Sequence, residues 1–129
     1  MHNLFSVDGK VVVVTGGSRG IGEMLAEGYM ANGASRVYIT ARKADVCDAT
    51  AERLNAVYDG ECVSLPIDLS TSDGIASIVA AVAKREQRLD VLVNNAGAAW
   101  GAPIDEFPES GWDKVMNVNV KAMFFLTQK

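Results

Sequence analysis

The chain has 129 residues, 49% of them apolar, and a net charge of −4. That length suits one domain with a sizeable core, and an acidic chain without a basic block is a poor partner for nucleic acid. No apolar run is long enough to span a bilayer, and Met1 to Gly9 lacks the basic-then-apolar order of a secretory signal.

Val11–Val14 is four β-branched residues in a row, the mark of a strand buried on both faces of a parallel sheet. Four glycines follow within Gly16 to Gly22. A helix then begins, with Ile21, Met24, Leu25, Gly28 and Tyr29 at helical spacing and Asn32-Gly33 as its stop. Arg36–Thr40 is the second strand. Val46, Thr50, Leu54 and Val57 mark the second helix, which Asp59-Gly60 ends. Cys62–Ile67 is the third strand, with Pro66 near its end, and Ser70, Thr71 and Ser72 are candidate caps for a third helix striped by Ile75, Ile78, Val79 and Val82. Leu89–Val93 is the fourth strand and Gly97 to Pro108 a loop. Ser110 is expected to cap a fourth helix striped by Trp112, Val115, Met116, Asn119, Met123 and Leu126.

Four strand–helix units in series imply an α/β fold, a Rossmann-type doubly wound parallel sheet. The expected strand order is 3-2-1-4. The direction of winding then reverses between strands 1 and 4. Their C-terminal ends carry the glycine turn and Asn94-Asn95-Ala96-Gly97, so the two oddest stretches meet where such folds bind ligands.

A glycine-rich turn between strand and helix lets the backbone approach a ligand, and the helix N-terminus behind it favours a phosphate. The spacing here is Gly16-x3-Gly20-x-Gly22, with no P-loop lysine. Where dinucleotide folds place an acid to grip ribose hydroxyls, at the end of strand 2, this chain has Ala41-Arg42-Lys43. A carboxylate would repel a 2′-phosphate, whereas guanidinium groups bind one in bidentate fashion, and Arg19 adds a further cation. Asn119 stands on the apolar stripe of the fourth helix, where an amide needs partners. Cys47 and Cys62 form no CxxC pair and are expected to stay reduced in a cytoplasmic protein. The only histidine is His2, so no histidine-based metal or triad site is expected.

Thr15-Gly16-Gly17-Ser18-Arg19-Gly20-Ile21-Gly22, Asp68-Leu69, Asn94-Asn95-Ala96-Gly97 and Val118-Asn119-Val120, in that order and spacing, resemble the short-chain dehydrogenase/reductase family. The pattern is most similar to its NADP-dependent 3-oxoacyl reductase-like branch. The resemblance implies hydride transfer between a nicotinamide and a small carbonyl or alcohol, with NADP(H) as cofactor. It implies that Gly16, Gly20 and Gly22 cradle the pyrophosphate, with Ser18, Arg19 and Ile21 lining the turn. Arg19 and Arg42 would hold the 2′-phosphate, Asp68 and Leu69 the adenine, and Asn95, Ala96 and Gly97 the length of the cofactor. Asn119 would be the asparagine of the family's Asn-Ser-Tyr-Lys tetrad, holding a water in a proton relay.

The rest of that tetrad has no counterpart here. None of Tyr29, Tyr38 and Tyr58 has a lysine four residues on. Residues 1–129 therefore read as the N-terminal dinucleotide-binding part of a single domain, cut after the fourth helix and inactive alone. The alternative is a truncated, non-catalytic nucleotide-binding or assembly module. The apolar end of the fourth helix, with Phe124 and Phe125, suggests a homo-oligomer, dimer or tetramer, through that helix.

Overall fold

The computed structural model describes residues 3–129; His2 lies outside them. Four strands, β1 (Val11–Thr15), β2 (Arg36–Thr40), β3 (Glu61–Leu65) and β4 (Val91–Val93), form one parallel sheet in the order β3-β2-β1-β4. The doubly wound order expected from the sequence is the order observed. Helices α1 (Gly20–Ala31), α2 (Ala44–Val57) and α3 (Ser72–Ala83) alternate with the strands. After β4 come a long loop, α4 (Glu109–Met116), a π-helical stretch (Asn117–Ala122) and α5 (Met123–Gln128).

The sheet is covered on both sides, which is why its strands are apolar without alternation. Val12, Val14, Val37 and Ile39 face α1 and α2, where they meet Ala26, Met30, Cys47, Ala51 and Leu54. A second core joins Leu92 of β4 to Ile75 and Ile78 of α3 and to Ala122 and Leu126. Burial pushes the Cys62 thiol up to about 12 and raises that of Cys47, so both are poor nucleophiles. Among the described residues no helix is long and apolar enough to cross a membrane.

Several boundaries differ from expectation by one or two residues. β1 runs on through Thr15. β3 stops at Leu65, before Pro66, which has no N–H for the ladder. β4 is only Val91–Val93, with Leu89 exposed. Thr71 is the cap of α3, its Oγ1 accepting from the Gly74 N–H at 3.0 Å. Ser110 is not a cap, because α4 starts one residue earlier with Pro108 in the capping position.

The larger corrections concern helix faces. In α1 the expected stripe is wrong: Ile21 and Met24 are 70% and 71% exposed, while Gly22, Ala26 and Met30 face the sheet. The helix lies so close to the glycine turn that only small side chains fit between. In α2, Thr50 and Leu54 are inside as expected, but Cys47 and Ala51 complete the face and Val46 and Val57 are exposed. Along α4 and α5 the inward residues are Gly111, Ala122 and Leu126, with Trp112, Met116 and Met123 exposed. Gly111 is inside because the Trp100 ring lies against it, where a Cβ would come within 2.8 Å of three ring atoms.

Candidate functional site

A cleft of about 880 Å³ opens at the C-terminal ends of the strands. Its wall includes Gly16, Ser18, Arg19, Gly20, Ile21 and Gly22 from the turn after β1, and Arg42 after β2. Asp68 and Leu69 contribute from beyond β3, and Asn95, Ala96 and Gly97 from beyond β4. All twelve cofactor candidates from the sequence thus meet in one place.

The turn is held by the ends of three elements. Thr15 is buried at the end of β1, and its hydroxyl donates to the Val93 carbonyl at 3.2 Å. The same oxygen accepts from the Asn95 and Ala96 N–H groups, each at 3.0 Å. The Asn95 amide donates to the carbonyls of Thr15 (3.1 Å) and Gly16 (3.3 Å). On the other side the Gly16 N–H donates to the Thr40 hydroxyl at 3.3 Å, and the Thr50 hydroxyl of α2 donates to the Ser18 carbonyl at 2.9 Å. The β1 turn and the β4 loop are therefore one hydrogen-bonded unit across the point where the winding reverses.

Gly16 and Gly22 both press against the loop beyond β4. Gly16 has φ +66°, and a Cβ there would lie 3.0 Å from the Ala96 Cα. At Gly22 a Cβ would lie 2.1 Å from the Gly16 carbonyl oxygen and 2.6 Å from the Asn95 amide nitrogen. α1 has no side-chain cap, so its first N–H groups stay available at the cleft. A bare backbone cradle at a helix N-terminus fits a pyrophosphate.

The charges are partitioned. Among the described residues, Lys10, Arg36, Arg53, Arg85 and Arg88 are all ion-paired, and none lines this cleft. The basic residues that do line it, Arg19, Arg42, Lys43 and Lys114, have no carboxylate within 4.0 Å. In a chain of net charge −4, this is a cationic surface kept free of partners. Asp68 is exposed, its carboxylate accepting from the Ser70 N–H at 2.9 Å, while Leu69 is buried in the second core.

Asn119 lies in the π-helical stretch, beside the cleft. Its Oδ1 accepts from the Ala98 N–H at 2.7 Å and its Nδ2 donates to the Ala98 carbonyl at 2.9 Å. Both ends of the amide are used to hold the loop beyond β4. Thr15, Thr40, Lys114 and Val118 were not among the sequence candidates. The threonines carried a local signal, a hydroxyl at the end of each buried strand; Lys114 and Val118 carried none.

Fold and cleft together are those of a doubly wound α/β protein with its cleft at the reversal of strand order. Residues 10–129 match the family model described as short chain dehydrogenase, and the chain belongs to that family. It is 48% identical over its whole length to a rhamnolipids biosynthesis 3-oxoacyl-[acyl-carrier-protein] reductase of Pseudomonas aeruginosa, spanning 49% of that protein. It is 38% identical over 127 residues to gluconate 5-dehydrogenase of Gluconobacter oxydans, covering 98% of this chain and 48% of that one. Among solved structures, the Pseudomonas aeruginosa RhlG/NADP active-site complex superposes with a TM-score of 0.89 at 48% identity, over 99% of this chain and 49% of that one. The L-sorbose reductase of Gluconobacter frateurii, complexed with NADPH and L-sorbose, superposes with a TM-score of 0.91 at 31% identity, over 95% of this chain and 46% of that one. The chain spans about half the length of the curated relatives it matches.

Proposed function

We propose that residues 1–129 are the N-terminal, dinucleotide-binding part of a Rossmann-fold oxidoreductase that uses NADP(H). Its reaction is hydride transfer between the nicotinamide and a carbonyl or alcohol carbon. The single observation that carries the cofactor choice is the unpaired set Arg19, Arg42 and Lys43 at the β2 end of the cleft, where an acid would select the unphosphorylated ribose.

Gly16, Gly20 and Gly22 admit the pyrophosphate to the backbone, and Ser18 and Ile21 border it. Arg19 and Arg42 bind the 2′-phosphate. Asp68 and Leu69 flank the adenine, and Asn95, Ala96 and Gly97 run beside the rest. When bound, the nicotinamide supplies the hydride. Asn119 acts as a positioning residue, fixing Ala98 and through it the wall of the site, and it is the tetrad asparagine of the family pattern. The 48% identity to a 3-oxoacyl reductase supports a 3-oxoacyl-like substrate. The apolar surface of Met123, Phe124 and Phe125 supports a homo-oligomer through the last helix, and two unpaired buried thiols support a cytoplasmic setting.

Titrating NADPH and NADH into the chain, by fluorescence or calorimetry, tests the cofactor choice. A charge-assisted contact of about 1.5–3 kcal/mol predicts a ten- to hundredfold preference for NADPH, which Arg42→Ala should largely remove. Equal affinities would refute it.

A further inference from the structure

Among the described residues, four basic side chains line the cleft without an ion pair, and three of them, Arg19, Arg42 and Lys43, gather at the β2 end. The fourth, Lys114, belongs to a helix face that runs down into the core. Lys114, Val118, Ala122 and Leu126 recur every four residues along α4, the π-helical stretch and α5. Lys114 and Val118 line the cleft. Further along the same face, Ala122 and Leu126 are buried with Leu69, and Leu65 and Ile67 at the end of β3 pack on that cluster. Lys114 thus faces the β3 end of the cleft, which Asp68 and Leu69 also line.

That end is the one left for the base of the dinucleotide. The cations after β2 take the 2′-phosphate and the glycine turn after β1 takes the pyrophosphate. The adenosine ribose joins those two points, which leaves its base to the apolar wall of Leu69, Ala96 and Val118. What stands around this wall matches the edge of an adenine, whose exocyclic amino group donates and whose ring nitrogens only accept. The exposed Asp68 carboxylate is an acceptor. The Lys114 ammonium has donors and no acceptor, and no described carboxylate lies within 4.0 Å of it.

Trp100 fixes where that ammonium stands. The cation is 5.5 Å from the indole centroid. The ring itself is laid against α4, where a Cβ at Gly111 would come within 2.8 Å of three ring atoms. A ring face attracts a cation through its quadrupole and leaves the N–H groups that point away from it free to donate. A long side chain braced in this way loses less rotamer freedom on binding than a free one.

We propose that Lys114, braced on Trp100, donates a hydrogen bond to a ring nitrogen of the cofactor's adenine, and so holds the base and not a phosphate. The proposal rests on the reading of this cleft as an NADP(H) site and adds a residue that binds the base.

The test is ligand-observed NMR titration of the chain with AMP, with ribose 5-phosphate, which has no base, and with adenosine 2′,5′-bisphosphate. Lys114→Met keeps the aliphatic stem over Trp100 and removes every donor. It should weaken AMP about tenfold and leave ribose 5-phosphate unchanged. Lys114→Arg, which still donates, should keep most of the AMP affinity. The preference for adenosine 2′,5′-bisphosphate over AMP reads the 2′-phosphate; it should survive in Lys114→Met and fall in Arg42→Ala. If circular dichroism shows Lys114→Met to be unfolded, Lys114→Leu serves in its place. The proposal is overturned if AMP binds Lys114→Met as it binds wild type, which is also the result for a lysine that only pins the Trp100 loop. It is overturned equally if ribose 5-phosphate weakens as much as AMP, or if the 2′-phosphate preference falls in Lys114→Met. A wild-type chain that binds AMP without preferring the 2′-phosphate refutes the NADP(H) choice and leaves the Lys114 result standing. A chain that binds none of the probes refutes both.

Discussion

The Thr15 hydroxyl makes three of the hydrogen bonds that join the glycine turn to the end of β4 and the loop beyond it, and replacing it with Val separates its role from its size. Thr15→Val keeps the β-branched shape in a side chain that is 2% exposed. Three hydrogen bonds are lost, but not all their partners are orphaned. The Asn95 N–H also reaches the Val93 carbonyl at 3.0 Å, so that donor and that acceptor keep each other. The Ala96 N–H loses its one partner in the structure. One unsatisfied, part-buried N–H costs about 1–3 kcal/mol. With an unfolding entropy of about 2.1 cal/mol/K per residue, a chain of this length should melt about 4–11 °C lower. The assay is a thermal melt followed by circular dichroism, with Thr15→Ser as the control that keeps the hydroxyl. NADPH affinity should fall in Thr15→Val and hold in Thr15→Ser, since Asn95 and Ala96 line the cofactor cleft. A valine variant that melts within a degree of wild type would refute the reasoning, and would mean that the Ala96 N–H finds another partner at no cost.

Two glycines of α1 should respond in opposite directions to the same change. Gly22→Ala drives a methyl into the Gly16 carbonyl and the Asn95 amide, so it should cost about 1–3 kcal/mol and abolish NADPH binding by fluorescence. Gly28→Ala meets nothing within 4 Å on an exposed helix face and should stabilise by about 0.5–1 kcal/mol in denaturant titration. At the other end of the sheet, Glu86 accepts from the Tyr38 hydroxyl at 2.7 Å and pairs with Arg36. Burial raises the Glu86 pKa, but the hydrogen bonds from Tyr38 and Arg36 outweigh it and hold the carboxyl below its usual range. Arg85 and Arg36 do the same for Glu61, and the Val11 N–H for Asp90. A depressed carboxyl stabilises the fold above its unfolded pKa and loses that contribution as pH falls through the folded value. Thermal melts from pH 7 to 3 should therefore drop below about pH 4.5, and Glu86→Gln should flatten that slope.

The strand order, the glycine turn, the acid-free end of β2 and every cofactor candidate were legible in the sequence. These features are local. A run of valines demands burial on both faces wherever it occurs. Four alternating strand–helix units leave little choice of topology, and that topology brings Gly16 and Asn95 together although 79 residues separate them. Which way a helix turns its face is a different kind of question. Ile21 and Met24 are more apolar than Gly22 and Ala26, yet they are outside, because the distance between α1 and the Gly16 carbonyl leaves no room for a side chain. On α4 the inward residue is Gly111 and not Trp112, because the Trp100 ring lies against the helix there. Hydroxyls at Thr15 and Thr40 become clamps only once two loops meet over them. Lys114 becomes a cleft cation only because the Trp100 loop folds back onto Gly111. Periodicity and turn chemistry are properties of neighbouring residues, and the sequence states them outright. Closeness of approach depends on every side chain packed between two elements, and tertiary structure alone decides it.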